Sequence, residues 1–167
     1  MVAGYSPNNP NQPHTSDAQL GGRMNVLLTD HGQDWASHIP ALLEPQGVRS
    51  YRAQSFDQAV ELIQSTPIHV ALVDMALGGV AQTASGHERL PAGLKLLKVI
   101  HRIEGRPPAV VVVRGRSFQQ RLDNFVLNEA LKLDAFSVLD DPVNHEQLLN
   151  VLQRALERYF DGQWPRS

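Results

Sequence analysis

From residue 25 onward, short runs of apolar or β-branched residues alternate with longer segments of helical periodicity. The runs cover 25–30 (Asn-Val-Leu-Leu-Thr-Asp), 48–53, 69–74 (His-Val-Ala-Leu-Val-Asp), 109–113 (Ala-Val-Val-Val-Val) and 135–139. The first, third and fourth are nearly continuous in apolar residues. Strands covered on both faces read that way, as in a parallel sheet between helical layers. Between them, 34–44 places Trp35, Ile39, Leu42 and Leu43 on one side of a helix. Segment 56–64 follows Ser55, an N-cap candidate with Gln58 three residues on, the capping-box spacing. Segment 93–103 repeats apolar residues at Leu94, Leu97, Val99 and Ile100, and Ser117 precedes a long segment over 118–131. After Asn144, residues Leu148, Leu149, Leu152, Leu156 and Tyr159 form a wide apolar stripe.

Strict strand–helix alternation implies right-handed βαβ units and a parallel sheet. The expected fold is therefore α/β: a flavodoxin-like, doubly wound sheet of five strands in the order 2-1-3-4-5, with five helices. Two features break the regularity. Pro40 falls inside the first helix, where it removes a hydrogen bond or kinks the chain. The connection over 75–92 is far longer than the about 2–6 residues such links usually take, and is read as an insertion, a lid or a contact surface. Residues 1–22, rich in Asn, Pro, Gln, Ser and Gly, are expected to form a flexible tail. The domain then runs over 23–161 and a short tail over 162–167.

A length of 167 residues fits one domain, and a hydrophobic content of 42% supplies a core. With 15 Lys plus Arg against 17 Asp plus Glu, the net charge of -2 argues against a protein that coats nucleic acid or an anionic membrane. The absence of cysteine (0 residues) excludes disulfide scaffolds, thiolate metal sites and cysteine nucleophiles. The longest apolar stretch, 109–113, is much too short to span a bilayer, and the start carries no secretory pattern, so a cytoplasmic location is expected.

In a 2-1-3-4-5 sheet the ligand crevice lies outside the carboxyl ends of strands one and three. Those strands end in Asp30 and Asp74, and the fifth ends in Asp140 and Asp141 before Pro142. Single aspartates at strand ends are common turn formers. Three strand ends carrying acid to one rim point instead to shifted carboxylates or to a hard cation such as Mg²⁺.

In this order and spacing, Asn25-Val-Leu-Leu-Thr-Asp30, His69-Val-Ala-Leu-Val-Asp74, the helix beginning Gly93-Leu-Lys-Leu-Leu-Lys-Val-Ile100 and the Leu139-Asp-Asp-Pro-Val143 turn resemble the receiver domain of two-component response regulators. The resemblance covers about 25–160. It implies that Asp74 stands at the phospho-accepting position, a carboxylate nucleophile toward a phosphoryl donor, and that Asp30 takes the first of two metal-binding acid positions. The second is His31, a poor ligand for Mg²⁺. Val113 replaces the Thr or Ser that senses the phosphoryl group, Arg114 follows where a small residue is usual, Asp141 replaces the Lys before the proline, and Val138 replaces the switch aromatic.

These departures predict an atypical, or pseudo-, receiver: a stand-alone signalling module, not an enzyme, with phosphorylation at Asp74 weakened or uncoupled from output. The partner implied is a histidine kinase or an output protein, with a homodimer through the face of helix four, strand five and helix five as an option, and no direct nucleic-acid or membrane partner. Mg²⁺ is the one cofactor implied. A second reading keeps a conventional phospho-receiver, with Arg114 or Arg116 supplying the missing cation. A third is a small enzyme or cofactor binder using Asp30, His31 and Asp74 for acid–base work. No Gly-rich phosphate loop follows the first strand to support it.

Overall fold

The computed structural model describes residues 23–30, 35–77, 91–105, 107–114 and 120–162. The expected N-terminal tail, His31, most of the 75–92 connection, Arg116, the Ser117 cap and the C-terminal tail from 163 lie outside them. Five strands and five α-helices alternate: β1 (Met24–Thr29), α1 (Trp35–Leu43), β2 (Val48–Ala53), α2 (Phe56–Ser65), β3 (Val70–Asp74), α3 (Ala92–His101), β4 (Ala109–Arg114), α4 (Gln120–Lys132), β5 (Ser137–Asp140) and α5 (His145–Phe160). All neighbouring strands pair in parallel, in the order β2-β1-β3-β4-β5. The expected α/β architecture and strand order are both present.

The period-two alternation of strand side chains divides the core into two layers. Val26, Leu28, Val70, Leu72, Val111, Val113 and Leu139 pack against Ala36, Ile39 and Leu43 of α1 and Leu148, Val151, Leu152 and Ala155 of α5. The intervening residues Leu27, Ala71, Val73, Val110 and Val112 pack against Ala59 of α2, Leu94 and Leu97 of α3, and Val126 and Ala130 of α4. β3 is buried along its whole length, which is why its sequence is continuously apolar rather than alternating.

The helices begin where side-chain caps permit. Ser55 accepts from the Gln58 N–H at 3.2 Å, and the Gln58 side chain accepts from the Gln54 N–H at 3.0 Å. The return bond of the expected capping box thus reaches one residue further back. Asn144 accepts from the Gln147 N–H at 3.1 Å and opens α5. Pro40 is accommodated inside α1, which passes into a 3₁₀ turn over Glu44–Gln46 and ends at Gly47 with φ 77°, a left-handed conformation that glycine adopts without a Cβ clash. Two apolar stripes are narrower than expected. Leu42, Leu149 and Tyr159 are exposed, because a helix lying on a twisted sheet buries only about 100° of its circumference. β5 starts two residues later than its apolar run, at Ser137.

Candidate functional site

Strand register brings residues from all five strands to one face at the carboxyl edge of the sheet. In parallel pairs, Arg52 lies opposite Leu28, and Leu28 opposite Leu72. Asp74 lies opposite Val113, and Val113 opposite Leu139. Paired residues share a face, and so do residues two apart on one strand. Arg52, Asp30, Asp74 and Val113 therefore share the face covered by α1 and α5, with Asp141 two positions beyond Leu139.

Both acids of this row are out of solvent: Asp30 is 0% and Asp74 1% exposed. A buried carboxylate needs hydrogen-bond donors or a counter-charge, and the chain provides both. The Arg52 Nε donates to Asp30 Oδ2 at 2.6 Å, the length of a charge-assisted bond. The Ala76 N–H donates to Asp74 Oδ1 at 2.8 Å, in the turn immediately after β3. The backbone of Asp74 is fixed as well. Its N–H donates to Thr29 Oγ1 at 2.8 Å, and the Thr29 hydroxyl donates to the Leu72 carbonyl at 3.0 Å. A buried hydroxyl thus ties the ends of β1 and β3 together and holds Asp30 and Asp74 at one level.

α3 closes against the same point. A Cβ built on Gly93 would lie 2.4 Å from the Asp74 carbonyl oxygen and 2.7 Å from the Met75 Cα. Only a residue without a side chain lets the helix approach the end of β3 this closely.

The remaining candidates sort by strand parity. Val113 is fully buried beside Asp74 and presents two methyl groups where a hydroxyl would be needed to hydrogen-bond. Arg114, next along β4, faces the opposite way. Its Nε and Nη2 contact Asp140 Oδ1 at 2.8 and 2.7 Å on β5. The sequence reading that brings Arg114 into the acidic crevice is therefore not what the structure places there: Arg114 is engaged at the rim with its register neighbour Asp140. Asp141 donates its N–H to the Arg114 carbonyl at 2.9 Å, and the bond from Asp141 to Pro142 is cis. Val138 is half-buried against the α2–α3–α4 layer.

Two residues here went unnamed in the sequence. Both read there only as members of strand runs, Thr29 of 25–30 and Arg52 of 48–53. The signal for Arg52 is positional: in the 2-1-3-4-5 order β2 is the outer neighbour of β1, so a cation near its carboxyl end lies beside the acid that ends β1.

The structure neighbours share this arrangement of strands and helices. The receiver domain protein described as CheY-like from Methanospirillum hungatei superposes with a TM-score of 0.66 at 19% identity, covering 84% of this chain and 98% of that one. The receiver domain of NtrX from Brucella abortus gives a TM-score of 0.62 at 22% identity, over 80% of this chain and 98% of that one. In sequence, an NtrX-like response regulator of Rickettsia bellii is 25% identical over 134 residues, 80% of this chain and 25% of that protein. The resemblance to response-regulator receiver domains holds in both sequence and fold. No family model matches the chain, and it spans about a quarter of the length of the curated relatives it matches.

Whether the residues suit the Mg²⁺ that this resemblance implies is a question of donors. Mg²⁺ demands near-octahedral oxygen ligation. Here the first carboxylate, Asp30, is already bonded to a guanidinium, and a histidine stands at the second acid position. Among the described residues, no group of three or more His, Asp or Glu side chains is disposed to hold a metal ion. The described donors do not by themselves make an Mg²⁺ site. Nor is any helix among the described residues long and apolar enough to cross a membrane.

Proposed function

We propose that this domain is an atypical receiver that signals through protein contacts, with phosphorylation of Asp74 weakened and uncoupled from the usual conformational relay. The observation that carries the reading is the register of Asp74 against Val113. In a receiver, a hydroxyl at that point of β4 draws on the new phosphoryl oxygens, and a lysine ahead of the cis proline pairs with them. Val113 offers no donor, and Asp141 brings a negative charge toward a group that would itself be negative. Asp74 keeps the burial, the backbone donor and the position of a phospho-acceptor.

The partner is proposed to be a signalling protein, a histidine kinase or an output protein, met in the cytoplasm. The exposed side chains of Phe125 and Leu131 on α4 and of Tyr159 on α5 support a contact through the α4–β5–α5 face. The arginines Arg154 and Arg158 lie over the Phe136 ring at 5.7 and 5.9 Å, adding positive charge to that aromatic patch. The conventional alternative, with Arg114 as the replacement cation, is disfavoured by its pairing with Asp140.

The test is labelling with a small phosphoryl donor such as phosphoramidate, read by intact mass, on the native chain and on Asp74→Asn. Slow, substoichiometric labelling of the native chain only, with unchanged amide spectra in β4 and α4, is the expected result. Stoichiometric labelling with large shifts in β4 would show a working switch and overturn the reading.

A further inference from the structure

We infer that the Arg52 guanidinium serves as a resident cation of the acidic crevice, taking the place beside Asp30 that a divalent metal holds in the receiver domains this chain resembles. The inference rests on the receiver reading of that crevice and adds to it how the buried carboxylate of Asp30 is neutralised.

Three observations converge on it. The first is geometric: the Arg52–Asp30 contact is 2.6 Å, and the Asp30 side chain is 0% exposed while that of Arg52 is 37% exposed. The guanidinium therefore reaches inward from the rim, with its stem along the sheet edge and its head on a carboxylate withdrawn from water. The second is topological. Arg52 lies opposite Leu28, two residues before Asp30 and on the same face, so the side chain needs only to extend along the strand direction to meet it. Asp30 is itself held to β2 by its N–H, which donates to the Ala53 carbonyl at 3.1 Å. Both partners are thus fixed by the same strand pair. The third is chemical: Thr29 is neutral, position 31 is a histidine, and position 141 an aspartate where a lysine would bring charge. Arg52 is the cation that the described structure places against Asp30.

A metal ion entering this site would have to displace the guanidinium from a buried carboxylate. The metal must then outcompete a direct bond to a carboxylate withdrawn from water. Mg²⁺ also surrenders its water reluctantly and must find oxygen ligands in octahedral array. A nitrogen ligand at position 31 does not compensate. Asp30 is therefore charge-compensated without a divalent ion, and Arg52 acts as its positioning residue.

The experiment is a Mn²⁺ titration of the full chain followed by paramagnetic broadening of amide signals, repeated with Mg²⁺ by calorimetry. It compares the native protein, Asp30→Asn, Arg52→Gln and the double variant carrying both changes. The native chain is expected to show no broadening around Asp30 and Asp74 at low-millimolar metal. Arg52→Gln should bind Mn²⁺ at least about tenfold more tightly than the native chain, a gain of about 1.4 kcal/mol, and the double variant should lose that gain. Native binding that Asp30→Asn abolishes would overturn the inference. So would an Arg52→Gln protein that is folded and gains no affinity. Should Arg52→Gln fail to fold, the comparison of native chain with Asp30→Asn decides alone: Asp30-dependent metal binding refutes the inference, and its absence in the native chain supports it. Failure of the receiver reading would register elsewhere, as a missing phosphoryl label on Asp74, whatever the metal titration gives.

Discussion

Thr29 and Asp74 are joined across neighbouring strands by one buried hydroxyl, which accepts the Asp74 N–H at 2.8 Å and donates to the Leu72 carbonyl at 3.0 Å. Because Thr29 is fully buried, no water replaces it when it is removed. Thr29→Val, nearly equal in shape, should remove both of these bonds and cost about 1–3 kcal/mol of stability. Thr29→Ser should recover most of it. Urea unfolding of the three proteins measures this, and equal midpoints for Val and Thr would show that the hydroxyl is not a tie.

The contact of α3 with the end of β3 makes a prediction of unusual sign. Alanine in place of glycine inside a helix ordinarily stabilises by about 1 kcal/mol. At Gly93 the added methyl would meet the Asp74 carbonyl oxygen at 2.4 Å, so backbone must move. Gly93→Ala should destabilise by about 1–3 kcal/mol and displace Asp74 with it. Gly105 is the control, with φ +90° and nothing within 4 Å of a built Cβ. Gly105→Ala should show only the backbone cost of about 1 kcal/mol. Thermal melts of both, with amide shifts at Asp74, separate a steric effect from a conformational one.

The distance between sequence and structure is uneven along the chain. The sheet order was legible because β3 and β4 are apolar without interruption, a pattern that only a strand buried on both faces tolerates. Asp30 and Asp74 were legible for the same reason, as the first charges after such runs. Arg52 was not: its partner is chosen by pairing register, and β2, with its exposed Arg49 and Arg52, has too weak an apolar pattern to announce which end meets β1. Arg114 was misassigned because adjacent strand positions point to opposite faces, so the step from Val113 to Arg114 carries the side chain out of the crevice and onto Asp140.

His69 gives the fold a dependence on pH. Its Nδ1 accepts the Asn25 N–H at 2.8 Å, and its ring packs edge-on against Phe160 at 5.5 Å. Burial lowers the His69 pKa from its ordinary value of 6.5, and protonating Nδ1 would set donor against donor. Between the lowered folded value and 6.5 the unfolded chain binds more protons, so stability rises with pH there. The His69 contribution is complete above 6.5 and drains away as pH falls through the folded value. Urea midpoints should therefore drop between about pH 7.5 and about pH 5. In His69→Gln, whose side-chain oxygen still accepts but does not titrate, that drop should shrink. An unchanged profile would assign the effect to carboxylates instead.

The proposed weakness of phosphorylation at Asp74 is open to reversal at two positions. Val113 lies opposite Asp74 on β4, and Asp141 follows Leu139 by two positions at the end of β5. Installing Val113→Thr and Asp141→Lys together returns a hydroxyl donor and a cation to the row that already holds Asp74. At about 4 Å a charge pair is worth about 1 kcal/mol in water and more where solvent is thinned. Exchanging repulsion for attraction should then lower the barrier to phosphoryl transfer by about 2 kcal/mol, roughly a thirtyfold faster label. The hydroxyl contributes separately, by hydrogen-bonding a phosphoryl oxygen and pulling on β4. The single variants should divide the effect: Asp141→Lys raises the rate of labelling, while Val113→Thr restores shifts in β4 and α4 once the label is on. Intact-mass kinetics with phosphoramidate, set against the same chain carrying Asp74→Asn, read the first; amide spectra read the second. A double variant that labels no faster than the native protein would mean that Asp74 is held back by something other than the missing hydroxyl and ammonium. The Arg52 contact with Asp30 would then be the next group to change.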